Sequence, residues 1–399
     1  MTGRRVAITL PRHAEIWLAG ALSSLARARR EARGRTGVVD ILFAVADHFE
    51  PLFRRAPAEA ALQRVQAWLD RYPALADRFR DADGRPPQHT FFYPVEEYRP
   101  ELLDRVAAVC QQGFGEVEVH LHHDSDTAPH LRESLARFAE TLHDRHALLP
   151  RDASGRLRYG FIHGNWALGN SLPGGRWCGV DEELAVLLET GCYADFTLPS
   201  APSAAQTRTV NQIYYASADR PGPKAHDTGE RAAVGRKPRP GELLIVQGPL
   251  APTWRHAKWA VLPRLENSAL HAGHPPTLGR FIDWLSCGIT VAGRPEWVFV
   301  KVHTHGAPEA EADMLLGQDA AAFHGDILAN FNDGRRYRLH YVTAREMVNI
   351  IHAAEDGRTG DPGQYRDYVF APPGGLAASS KSGVTRLPEP GEDRLRTDR

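Results

Sequence analysis

Short apolar runs rich in β-branched and aromatic residues alternate with amphipathic segments from residue 38 to residue 354, and few folds accept that rhythm. The runs lie at 38–46, 90–93, 117–121, 159–163, 195–198, 243–246, 297–302 and 339–342. Helical periodicity fills 58–72, 101–112, 131–146, 182–189, 278–287, 320–330 and 344–354. Strand–helix alternation predicts an α/β fold with a largely parallel sheet, and this many units predicts a (β/α) barrel. The run 38–46 is almost wholly apolar, as a strand covered on both faces requires.

Punctuation supports these boundaries. Thr343-Ala344-Arg345-Glu346 has the form of a capping box opening the last helix, and Gly357 follows its end. Pro100 and Pro129 stand near two other helix starts, where a missing N–H costs little. The chain divides into a helical extension at 1–36, the barrel at 37–371 and a tail at 372–399 whose Gly, Ser, Pro and charge predict disorder. Pro, Gly and charge at 218–241 interrupt the pattern and predict a long loop or lid. No internal repeat is present.

Composition excludes some functions. A formal net charge of -1 gives no global electrostatic reason to bind nucleic acid. Cys110, Cys178, Cys192 and Cys287 form no CxxC pair, so neither a disulfide framework nor a thiolate zinc site is expected. The N-terminus has no apolar core of a secretory signal and no run reaches membrane length, so a cytoplasmic protein is expected. Arg27, Arg29, Arg30 and Arg33 make the end of the first helix basic, which suits a membrane or partner surface, or simply the solvated face of a packed helix.

The chemistry lies at strand ends, which converge on one face of a parallel sheet. The run 38–46 leads straight into Asp47-His48 and then Glu50-Pro51. There a carboxylate stands beside a metal ligand and can serve as general base, although a capped turn would use the same residues. His120 and His122 face the same way on an extended segment and can hold one ion, with Asp124 and Asp126 continuing that spacing. Two imidazoles with a carboxylate suit zinc and similar divalent ions. His303 and His305 repeat the alternation; one could be the general acid, the other a ligand or orienting partner. His163, Asn165 and Trp166 follow another strand, with Gly164 between them, and have the polar and aromatic character of a sugar contact.

Thr90-Phe91-Phe92-Tyr93, then Pro100-Glu101-Leu102-Leu103, then Gly115-Glu116-Val117-Glu118-Val119-His120 resembles the progression of the NodB-homology polysaccharide deacetylases. The resemblance spans roughly 38–355 and implies a distorted (β/α)7-8 barrel, a divalent metal ion and an N-acyl or O-acyl sugar as substrate. It implies Asp47 as catalytic base and His48 and His120 as ligands, with Asp124 where the family has a second histidine. Lys301-Val302-His303 resembles the late motif whose histidine is the general acid, which favours His303 over His305. The chain departs at two ligand positions, His48 for Asp and Asp124 for His, so His122 with Asp126 is an alternative register. The family's third motif has no clear counterpart near 191–202, although Arg208 follows closely and could reach substrate.

The sequence therefore predicts a metal-dependent, most simply zinc-dependent, carbohydrate deacylase. An amidohydrolase or glycosidase on a similar barrel would use the same strand-end groups, and a non-catalytic carbohydrate-binding protein would keep the barrel without the metal.

Overall fold

A computed structural model describes residues 10–220, 222–258 and 262–374. The strands are β1 (Val39–His48), β2 (His89–Pro94), β3 (Gly115–Leu121), β4 (Tyr159–His163), β5 (Cys192–Asp195), β6 (Ile213–Ser217), β7 (Glu230–Arg231), β8 (Glu242–Val246), β9 (Ala251–Lys258), β10 (Leu262–Glu266), β11 (Ala269–Leu270), β12 (Trp297–Thr304) and β13 (Tyr337–Tyr341). The helices are α1 (Ala14–Arg33), α2 (Ala58–Ala76), α3 (Pro100–Gln111), α4 (Ala128–His146), α5 (Glu183–Thr190), α6 (Leu278–Ser286), α7 (Glu309–Leu315), α8 (Gln318–Phe331) and α9 (Ala344–Glu355).

The central sheet runs β11-β12-β1-β2-β3-β4-β5-β8-β6-β7, with β9 and β10 as a separate hairpin. It is parallel except where β6 reverses against β8 and β7. Partner β12 follows β1 from Asp40 to Asp47, so β13 and β2 share the opposite edge of β1 in succession, β13 at Val39–Phe43 and β2 at Ala46–His48. The α/β class and parallel sheet match the sequence expectation; a closed barrel does not appear. Residues 213–217, assigned to no element by the sequence pattern, form the antiparallel β6, and the ladder ends at β7 and β11. Among the described residues an isolated bridge, Ala233 to Ala292, links the segment after β7 to the segment before β12.

Curvature brings distant strands together nonetheless. Lys301 of β12 donates to the carbonyls of Phe196 and Leu198, just beyond β5, at 2.7 and 2.5 Å. The concave face thus defined carries Leu42, Ala44, Ala46, Phe92, Ile162 and Phe299, packed against Met347, Val348 and Ile351 of α9. The other face carries Ile41, Phe43, Val45, Val119, Phe161 and Val300 against the outer helices. Each large apolar side chain so buried contributes roughly 1.5–3 kcal/mol. Helix α9 opens with the expected capping box, Thr343 accepting from Glu346 N and Glu346 accepting from Thr343 N. The 20-residue α1 lays Trp17 and Ala21 on Ala201, Val210 and Leu250, so the extension is packed on the sheet's loops. The stretch expected as a lid is pinned: β7 pairs with β6, Ala218 N bonds to Gly241 O, and Arg236 is salt-bridged to Glu242. Most of the expected disordered tail, from 375 onward, lies outside the described residues.

The end of the sheet where the strands begin holds buried charge. His340 bonds through Nδ1 to Asp83 and through Nε2 to Asp40, both at 2.9 Å. Burial pulls its pKa down from 6.5, but the two carboxylates outweigh burial and lift it to about 9. A folded-state value above the unfolded one adds stability that is complete below pH 6.5 and is lost as pH rises through about 9. The wild type should therefore lose its stability advantage over His340→Gln across that window. A thermal-midpoint difference that stays constant from pH 6.5 to 9 would show that no imidazolium forms there.

Candidate metal centre

Strand alternation sorts the sequence candidates into two groups, because successive side chains leave opposite faces of a sheet. His48, His120 and His303 follow Ala46, Glu118 and Lys301 onto the concave side at the carboxyl ends of β1, β3 and β12. Asp47 and His163 follow Val45 and Phe161 to the helix-packed side.

The concave group converges. The ring of His48 lies 4.8 Å from those of His120 and His305 and 6.3 Å from that of His303. Glu50, buried and two residues beyond His48, points Oε1 at His120 Nε2 (3.2 Å), His122 Nε2 (3.4 Å) and His305 Nε2 (3.9 Å). His48, Glu50 and His120 each offer a ligand atom within 4.8 Å of the others.

Hydrogen bonding fixes which nitrogens are bare. His120 Nδ1 lies 3.1 Å from Ile162 O, an acceptor only, so Nδ1 carries the proton and neutral Nε2 presents a lone pair to Glu50. His122 places Nδ1 2.5 Å from Glu96 and Nε2 toward Glu50. His48 is wholly buried, and among the described residues neither of its nitrogens has a partner. An unpaired buried polar group costs on the order of 1–3 kcal/mol, and a cation among these acceptors would satisfy all of them.

Electrostatics keeps the donors available. Burial, reinforced by the neighbouring imidazoles, holds the pKa of His48 well below its ordinary value and that of His120 at about 3, so both are neutral. Burial raises Glu50 even though His305 and His122 counter it. Burial lowers His122 too, but Glu96 outweighs it and the net shift is upward. Neutral imidazoles and one carboxylate are a donor set used by catalytic zinc, with a position left open. The carbonyl of Ile162 behind His120 is the outer partner that orients a ligating histidine.

The other sequence candidates lie elsewhere. Asp47 accepts from Gly306 N at 2.6 Å and pairs with His89 Nε2 at 2.8 Å, so both its oxygens are engaged across the strand from His48. Its action on the cluster is indirect: it fixes Gly306, next to His305, where a Cβ would collide with Asp47 and Trp68. Asp124 is exposed and accepts from Trp177 N, and Asp126 pairs with His123 and His130; neither joins the concave cluster. His163 is buried against His123 and Glu183 rather than open to a substrate. Arg208 is bound to Asp227 beside Gly20 of α1. Asn165 is half-buried and donates to His123 O. Trp166 lies beside the cluster: half-buried, it is 4.7 Å from His48 and 5.0 Å from His303 between ring centroids. It holds a left-handed φ of 62°, rare outside glycine, in a turn closed by its N–H on His163 O.

Glu50 and Glu96 are the residues the sequence reading missed. The spacing of Glu50, two beyond His48 on a still-extended segment, carried the signal. Glu96 follows β2 in a short 3-10 turn and reaches the site only because β2 neighbours β3. No protein-family model and no curated protein matches this chain.

Proposed function

We propose that the chain is a metal-dependent deacylase acting on a carbohydrate, with a divalent ion, zinc by its donor set, held by His48, Glu50 and His120. One observation carries this reading: the bare Nε2 of His120 aims at a buried carboxylate beside His48, whose nitrogens are unpartnered among the described residues. The curled parallel sheet with its strand-end histidines is also consistent with the distorted barrel of the polysaccharide deacetylases that the sequence resembles. When bound, the ion supplies Lewis acidity toward an acyl carbonyl. In its neutral form His122, held at Nδ1 by Glu96, can take the proton of the attacking water at Nε2. His305, 36% exposed at the rim, holds a proton for the departing amine or alcohol. Trp166 offers a half-exposed aromatic face on which a sugar ring can stack, and buried His303 orients it.

Zinc-loaded protein given acetylated oligosaccharides should release acetate without new reducing ends. Reducing ends without acetate would make it a glycosidase, and neither product, with metal bound, would favour a carbohydrate-binding protein. Within this reading His305→Gln should lower kcat by about 100-fold, and His303→Gln by less, with metal content unchanged in both. The reverse order would return the acid to His303.

Asp47→Asn should keep turnover within a few-fold, since the amide can still accept from Gly306 N and donate to His89. A loss of about 100-fold at full metal content would make Asp47 the base after all.

A further inference from the structure

Beside the concave cluster, on the helix-packed side of β4, lies a second group of donors. His123 follows β3, His163 ends β4, Cys178 lies in the loop beyond, and Glu183 opens α5. The side chain of His123 is 6% exposed, and His163, Cys178 and Glu183 are fully buried. One ligand atom from each lies within 4.8 Å of the others. We propose that these four residues form a second metal centre, structural in role, that takes a thiophilic divalent ion such as zinc.

The hydrogen bonds around the group support this. His123 Nδ1 faces Asp126 Oδ2 at 3.2 Å while its Nε2 faces Glu183 Oε1 at 3.1 Å. A carboxylate behind a histidine whose other nitrogen points at further donors is the arrangement that orients metal-bound imidazole. Asp126 is itself fixed by His130 Nδ1 at 2.7 Å. Cys178 Sγ lies 3.5 Å from Glu183 Oε2, which also accepts from Gly169 N at 2.6 Å. Among the described residues His163 Nε2 is buried without a hydrogen-bond partner and points at Glu183 across 3.8 Å, while its Nδ1 accepts from Asn165 N. Binding releases the thiol proton of Cys178 to solvent, and neutral His163 ligates through Nε2 once its proton moves to Nδ1 in place of the bond from Asn165 N.

Charge balance favours a dication. One thiolate and one carboxylate cancel its charge, so the buried site carries no net charge, whereas an isolated buried ion is expensive. His163 is paired in register with Leu121, two residues before His123, whereas Cys178 and Glu183 come from a loop and α5, so an ion joining all four would fasten the turn that carries Asn165 and Trp166 to α5. Four N, S and O donors with no open position are what structural zinc sites use. This inference does not depend on the deacylase reading, because it makes no claim about turnover.

Cobalt(II) provides the test. Of the two clusters only this one contains sulfur, so the wild type should take two equivalents and develop a thiolate-to-cobalt charge-transfer band in the near ultraviolet. Cys178→Ser should lose the band and one equivalent, while His48→Ala should lose one equivalent and keep the band. Should Cys178→Ser fail to fold, X-ray absorption at the zinc edge of the wild type gives the answer, with about one sulfur per two zinc ions expected. A wild type that shows no band, or has no sulfur around zinc, would overturn the proposal and leave His123 as an imidazolium between Glu183 and Asp126, whereas a single equivalent with the band would count against the concave centre alone. Acetate release measured in the same samples reports on the concave centre separately.

Discussion

Replacing His48 by leucine should raise the thermal midpoint of the metal-free protein by a few degrees and abolish the further rise that zinc gives the wild type at the concave centre. Both nitrogens of this fully buried imidazole lack partners among the described residues. An apolar side chain of similar size removes a desolvation cost of roughly 1–3 kcal/mol. The same change removes one of three ligands, so the stabilisation that follows from ion binding to the folded state disappears. The turnover proposed above should fall by more than about 100-fold, since even outer partners of a metal site are worth 10–100-fold. Calorimetry with chelator and with zinc separates the two effects. A metal-free variant less stable than the wild type, or one that keeps the full zinc-induced rise, would mean that His48 is a packing residue.

Arg345→Met is expected to cost about 3–5 kcal/mol, a large part of the 5–15 kcal/mol by which a domain is usually stable. Arg345 is 2% exposed and makes bonds of 3.1 and 2.7 Å to Glu116, a bond of 2.8 Å to Asp367, and bonds to the carbonyls of Arg366 and Phe370. Truncation strands Glu116 beneath α9 with Thr343 as its remaining partner. The urea midpoint should drop with an unchanged slope, and adding Glu116→Gln should recover part of the loss, because the penalty is an uncompensated charge more than a lost contact. A shift within about 0.5 kcal/mol would assign the pair no such role.

The two predictions concern opposite ends of one sheet, and the sequence revealed those ends unequally. The apolar run before Asp47 and the His-x-His spacings at 120 and 303 are local patterns with a fixed geometric meaning, so β1, β3, β12 and the convergence of His48, His120, His303 and His305 were legible. The side of the strand on which each residue falls was legible too, in principle. Asp47 and His48 are neighbours and therefore face apart, and the same parity removes His163 from the concave group and leaves Glu50 in it. A resemblance aligned by position does not carry that information.

Other features depend on long-range pairing that no window of sequence contains. Strand β6 becomes antiparallel because Ile213–Ser217 folds back on β8, and that reversal keeps the sheet open. Cys178 and Glu183 meet His123 through the packing of α5 against α4, and nothing in their spacing marks them as a pair with distant histidines. Nothing in the local pattern around Arg345, His340 or Arg366 marks them as buried. Their burial depends on the segment after α9 folding back under the sheet, where Arg366 meets Asp81, Asp83 and Glu346.

Anomalous diffraction at the zinc edge from crystals grown with zinc tests the central claim most directly. The account predicts a peak about 2 Å from a nitrogen of His48, from His120 Nε2 and from a carboxylate oxygen of Glu50. Full occupancy of other positions with none there, and His48 instead hydrogen-bonded to water, would contradict it.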